Sequence, residues 1–197
     1  MIYEHIVQMT IVQLENPGLK VLLDEVVNAR LRYVSLAKRI NEQQAQYKPT
    51  PDSWSAVEIT EHLCWAERAG VSGLWQAWQA HQDRTPVWTG EPTNQDLSIK
   101  EIIQATWRTH EQASANTLPH QGGTLAFWSA SLWSQHSVLT TFASAVQQAD
   151  LEAIIYPHSL SGPLDVRQWF EFIRFHIDRH RRQLGGLFPH LEAKQSK

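Results

Sequence analysis

His176 and His180 form an H-x-x-x-H pair near the C-terminus, and His62 closes the distant segment W-S-A-V-E-I-T-E-H-L, Trp54 to Leu63. Four residues span about one turn of α-helix, so the imidazoles of His176 and His180 stack on one face. Two neutral imidazoles so placed can share a metal ion, and a third from a facing helix would complete a three-nitrogen cap. Such a cap leaves a coordination position open, as catalytic rather than structural sites do. At that position a divalent cation acidifies water to a pKa of about 7, or deprotonates a coordinating thiol. The plainer alternative is three hydrogen-bonded core histidines, in a chain with ten histidines altogether.

The elements that must position these residues read as helices throughout, with no convincing alternating strand run. Asn16-Pro17-Gly18 starts a helix whose stripe is Leu19, Leu22, Val26, Tyr33, Ala37 and Ile40, and Lys48-Pro49-Thr50-Pro51 breaks the pattern. Ser55-x-x-Glu58 is a capping-box pattern opening a second helix, with Ile59, Leu63, Ala66, Gly70, Leu74 and Ala77 on one face. Val57, Cys64, Val71, Trp75 and Trp78 surround its other sides, which places this helix deep in the structure. A loop follows from His81 to Asp96. Ser98-x-x-Glu101 opens a third helix expected to reach Leu118-Pro119, and a fourth runs from about Leu125 to Ala149. Turn signals at Tyr156-Pro157-His158 and Ser161-Gly162-Pro163 precede a last helix, capped by Asp165 with Gln168 and closed by Gly185-Gly186. Short links between long helices imply an all-α antiparallel four-helix bundle. The reading is one domain over 1–197, with a core at about 19–187, an N-terminal arm or short helix at 1–15 and a frayed polar tail at 192–197.

Phasing the last helix on Val166, Trp169, Phe170, Ile173, Ile177, Leu184 and Leu187 puts His176 and His180 on or beside the apolar stripe. His62 sits likewise beside Ile59–Leu63–Ala66. All three therefore face the bundle interior or its rim. Buried there, three imidazoles need partners, because an unpaired buried polar group costs roughly 1–3 kcal/mol. Glu58, one turn before His62, has two readings: the capping partner of Ser55, or a carboxylate supporting the site as a base. Glu61, Glu67 and Asp178 read as solvated helix charges, and Cys64 points away from His62. His136 has a minor claim on the site, His158 reads as a loop residue, and His5, His81, His110, His120 and His190 as surface or helix-end residues.

Composition narrows the classes. Hydrophobic residues make up 42% and charged ones 19%, with net charge -3 and no basic run, which disfavours nucleic acid as a partner. The single cysteine excludes an intrachain disulfide, and the first ten residues lack a leader pattern; both fit a cytoplasmic protein. No apolar stretch is long enough to cross a bilayer. Nine tryptophans are spread along the chain, most expected to pack the core and a few to line a pocket.

Trp54-Ser55-x-x-Glu58-Ile59-x-x-His62-Leu63, then Gly162-Pro163-Leu164, then Phe175-His176-x-x-x-His180 resembles the DinB-like superfamily, over about Leu19 to Leu187. The resemblance implies a four-helix bundle with a divalent metal held by His62, His176 and His180; three imidazoles suit zinc, nickel, copper or iron, and zinc or nickel is put first. It implies a homodimer acting on a small-molecule substrate, either as an S-transferase or isomerase using a low-molecular-weight thiol or as a metal-dependent hydrolase. A non-catalytic metal- or ligand-binding bundle is the alternative. One departure stands out: relatives often carry His-Pro before the glycine turn, where this chain has Tyr156-Pro157-His158.

Overall fold

The segments that cap well in sequence are the ones that become helices. The computed structural model describes residues 14–107 and 113–195. Asn16 accepts from the Leu19 N–H at the start of α1 (Pro17–Ala37), which has proline in its first turn. A four-residue α2 (Glu42–Ala45) leads to α3 (Ala56–Gln82), whose capping box joins Ser55 and Glu58 in both directions. The same device opens α4 (Ile99–Thr106) through Ser98 and Glu101. A 3-10 turn (Ala115–Thr117) precedes α5 (Leu125–Val146). Thr124 caps α5, and the Glu42 carboxylate accepts from the Leu125 and Ala126 amides, placing an anion at the positive end of the helix. A hairpin, β1 (Ile155–His158) with β2 (Gly162–Asp165), runs into α6 (Val166–Gly185), and α7 (Phe188–Gln195) follows.

The long helices α1, α6, α3 and α5 form a ring in that spatial order, with α1 facing α3 across it. Cross-helix contacts fix the directions. Glu25–Arg174 and Arg32–Asp178 make α1 and α6 parallel, and Cys64–Trp128 with Trp75–Phe142 make α3 and α5 parallel. Gly70 against Trp169 and His62 against His176 make α3 and α6 antiparallel, as are α1 and α5. The bundle is thus all-α as the sequence indicates, antiparallel along two of its four sides. The parallel α3–α5 side requires the chain to return the length of the bundle, which the connection 83–124 does.

Three local expectations change. The third helix ends at Thr106, well short of Leu118. There the Thr106 hydroxyl bonds back to the Ile102 carbonyl, and Trp107 turns extended while its indole N–H reaches the Ser161 hydroxyl. The turn-rich stretch before α6 is a two-stranded hairpin, pairing Ile155 with Asp165 through His158 with Gly162. Four-residue strands that each carry a proline show no alternation to detect. Gly185-Gly186 closes α6 as expected, with Gly186 at φ -66, an ordinary right-handed conformation from which the chain resumes as α7. The polar tail is helical through Gln195; residues 196 and 197, and the 1–13 part of the N-terminal arm, lie outside the described residues.

Two acids read as solvated are buried. Glu67 pairs with Arg30 of α1 across the centre of the bundle, and Glu61 is fully enclosed. Burial pushes the Glu67 carboxyl up, and Arg30 beside it pulls it only partly back. Asp178 is half-buried and bonds Arg32 and Arg181.

The hairpin docks where α3 is bare. Trp169 lies against Gly70, 2.7 Å from where a Cβ would stand, and the Tyr156 ring occupies the space a Cβ on Gly73 would need. Alanine at 73 would gain roughly 1 kcal/mol of helix propensity but overpack by roughly 1–3 kcal/mol. Gly73→Ala is therefore expected to lower stability in urea unfolding, against the usual glycine-to-alanine trend in helices. A variant as stable as the wild type would mean that the hairpin yields freely.

Candidate metal centre

The groove between α3 and α6 holds the histidines. His62 comes from the first half of α3, and His176 and His180 from the second half of α6. The His176 Nε2 lies 3.3 Å from the His62 Nε2 and 3.0 Å from the His180 Nε2. One ring nitrogen from each falls within 4.8 Å of the others, and the residues are 4%, 8% and 6% exposed. Trp54 tilts over His62 and stacks alongside His180, closing one side.

The outer nitrogens set the tautomers. His62 Nδ1 is 2.8 Å from the Thr117 carbonyl and His180 Nδ1 is 2.7 Å from the Gln183 amide oxygen, so both donate there. Their Nε2 atoms are left as lone pairs, both aimed at His176 Nε2. A single N–H on His176 could satisfy one of them and not the other. A cation at the centre satisfies all three at once, and carbonyl-oriented imidazoles are the usual support for metal ligands. The donor set therefore fits a divalent ion.

Electrostatics agree. Burial lowers the pKa of all three rings: His180 to about 3, His176 well below the usual imidazole range, and His62 below its ordinary value. Neighbouring imidazoles add to the effect at His176 and His180, and Arg179 opposes a charge on each of the three. Neutral imidazole is the ligating form.

The triad lines a cavity of about 1010 Å³. Ala66, Ala69 and Gly70 make room on α3, while Trp169, Phe172, Arg179 and Gln183 come from α6. The connection 83–124 supplies Trp107 and residues 113–114 and 116–118, and the hairpin supplies Tyr156 through Leu160. Asn94 ties these covers together, donating to the Ser161 and Pro163 carbonyls while its own carbonyl accepts from Gln168. Arg179 lies 4.6 Å over the Trp107 ring and is the one lysine or arginine among the described lining residues.

The other candidates fall differently. Glu58 is not among the lining residues: its oxygens accept from the Ser55 amide and the Lys48 ammonium. These bonds, against burial, hold its pKa below the ordinary carboxylate value. His158, read as a loop residue, belongs to β1 and lines the cavity against Phe172 and Trp169. Its Nδ1 accepts from the Leu160 and Ser161 amides, which leaves its proton on Nε2. His136 stays on α5 beside Thr140 and Trp133, outside the cavity lining. His120 stacks on Trp65 and His81 on Trp78, while His5 and His110 lie outside the described residues. Cys64 turns toward the Trp128 carbonyl, and burial drives its thiol pKa far up. Sequence reasoning missed Arg179 and Trp107 as wall residues. The position of Arg179, immediately before His180, was the available signal.

The sequence profile of the DinB superfamily matches residues 25–184. The chain is similar to the uncharacterized protein YuaE of Bacillus subtilis (strain 168), 24% identical over 171 residues that cover 83% of this chain and 95% of the relative. No solved structure gives a significant match. The matched span runs from within α1 to the end of α6 and contains all three histidines, and the chain belongs to the DinB superfamily.

Proposed function

We propose that this protein is a divalent-metal-dependent enzyme acting on a small molecule, with thiol S-transfer ahead of hydrolysis. The observation that carries the reading is three neutral, buried imidazoles converging on the wall of a large cavity. His62, His176 and His180 would hold the ion. Zinc or nickel suits the all-nitrogen donor set. When bound, the ion supplies Lewis acidity that favours the thiolate or hydroxide form of a neighbouring nucleophile. The remaining wall residues bind and orient. Trp54, Trp107, Trp169 and Phe172 give an apolar surface for the body of a substrate, and Arg179 and His158 line the same cavity. The preference for a thiol cosubstrate rests on the family resemblance, as does a homodimeric assembly. The single, buried cysteine supports a reducing, cytoplasmic location. Among the described residues no helix is long and apolar enough to cross a membrane.

The test combines elemental analysis with a turnover screen of low-molecular-weight thiols against electrophilic acceptors, and of simple esters without thiol. Zinc- or nickel-dependent thiol consumption, absent in His62→Ala, is the expected result. Metal-dependent ester cleavage alone would favour the hydrolase. Stoichiometric metal with no turnover would favour a binding module, and protein that takes up no divalent ion would overturn the proposal.

A further inference from the structure

Glu61 precedes His62 on α3, yet its carboxylate points around the helix to a different task. It is 0% exposed, and among the described residues no lysine or arginine bonds it. Instead, Oε1 accepts from the amides of His120 at 2.8 Å and Gln121 at 2.7 Å and from the Trp65 indole at 3.2 Å, while Oε2 accepts from the Gly122 amide at 2.9 Å. Three consecutive backbone N–H groups converge on one anion, the arrangement of an anion-binding nest. Gly122 makes the turn possible at φ +69, a left-handed value that side chains resist. Its carbonyl is then fixed by the Trp128 indole at 2.6 Å.

The segment so gripped is the direct continuation of the 3-10 turn that ends at Thr117, and the Thr117 carbonyl accepts from His62 Nδ1. Two adjacent residues of α3 thus hold one stretch of chain at two points: Glu61 at 120–122 and His62 at 117. The Thr117 hydroxyl bonds the Ser114 carbonyl and tightens the same turn. With the loop anchored, the carbonyl stands where it must be for His62 to carry its proton on Nδ1 and present a bare Nε2 to the other two rings. We infer that Glu61 is a positioning residue for the triad: its carboxylate, by holding the backbone amides of 120–122, sets the Thr117 carbonyl that fixes the His62 tautomer. The inference rests on the triad being a cation site, and its test separates the two.

Long-range proton–nitrogen spectra of the histidine rings report each tautomer directly in metal-free protein, and competition with a chromophoric chelator gives zinc affinity. In the wild type His62 is expected as the Nδ1–H form. Glu61→Ala is expected to give His62 a mixture of tautomers and to lose about 10- to 100-fold in zinc affinity, the usual effect of removing support behind a ligand. Glu61→Gln is close to isosteric and keeps one acceptor oxygen for His120, Gln121 and Trp65, so it should fold and show a smaller loss of the same kind. Glu67→Gln is the control, a buried acid on the same helix that does not touch the loop. It should lower stability while leaving the His62 tautomer and zinc affinity within about twofold of wild type. An unchanged His62 tautomer in both Glu61 variants would overturn the inference, as would an equal tautomer change in Glu67→Gln. If the wild type takes up no zinc, the cation reading fails, while the tautomer comparison still decides the role of Glu61.

Discussion

Replacing His176 with alanine is expected to cut zinc affinity on the order of 100-fold and to remove most of the thermal stabilisation that zinc gives. His176 is the central ring of the three, within 3.3 Å of both others through one nitrogen. Structural zinc sites contribute about 10–16 kcal/mol over four ligands, so one imidazole accounts for roughly 3 kcal/mol. With free zinc at about 1,000 times the wild-type Kd, linkage adds about 4 kcal/mol to folding, or roughly 8–16 °C in Tm for a chain of this size. The variant, about 100-fold weaker, would retain only roughly 1.4 kcal/mol, or about 3–6 °C. Paired melting curves with and without zinc check this. Equal shifts in both proteins would place the bound zinc elsewhere.

The second large effect lies in the core. Arg30→Ala is expected to destabilise by about 3–5 kcal/mol, because it leaves Glu67 buried without its counter-charge. The pair is poorly satisfied even when intact: Arg30 Nε and Nη1 and Glu67 Oε2 have no hydrogen-bond partner among the described residues. Removing both charges together should therefore be far gentler. The double variant Arg30→Met with Glu67→Leu is expected to be as stable as the wild type or more so. A double-mutant cycle in urea measures the coupling. Additive losses in the double variant would show that the two residues stabilise the bundle independently.

Much of this arrangement is legible in the chain, and the misreadings have a common cause. Helix starts announce themselves, because Asn16, Ser55, Ser98 and Asp165 act on residues three positions away. The inward orientation of His62, His176 and His180 follows from phasing, whereas their meeting at one point was implied by the family resemblance. The Arg30–Glu67 pair was also within reach: Arg30 falls between Val26 and Tyr33 on the inward stripe of α1, and Glu67 between Leu63 and Gly70 on that of α3. Opposite charges in two inward stripes imply each other, provided the phase is taken over the sign of the residue. Glu61 was harder. Its partners are backbone amides some sixty residues later, and only Gly122-Gly123 hints that the chain there could wrap an anion. The end of the third helix at Thr106 was harder still, because the competing interaction is a single bond from the Trp107 indole to Ser161, on a hairpin too short and too rich in proline to show in sequence.

The parallel course of α3 and α5 has a consequence for how such a molecule can diversify. The triad sits on rigid helices, whereas much of the cavity's cover comes from the long return segment between them. Lengthening a connection is thermodynamically cheap, about 0.6 kcal/mol for each doubling of a flexible loop. Insertions and deletions between residues 83 and 124 can therefore reshape the roof of the cavity while the register of every helix stays as it was, as long as the grip of Glu61 on 120–122 is kept. The metal-holding side chains and most of the cavity's cover thus lie in different stretches of one chain, joined where Thr117 and residues 120–122 support the triad.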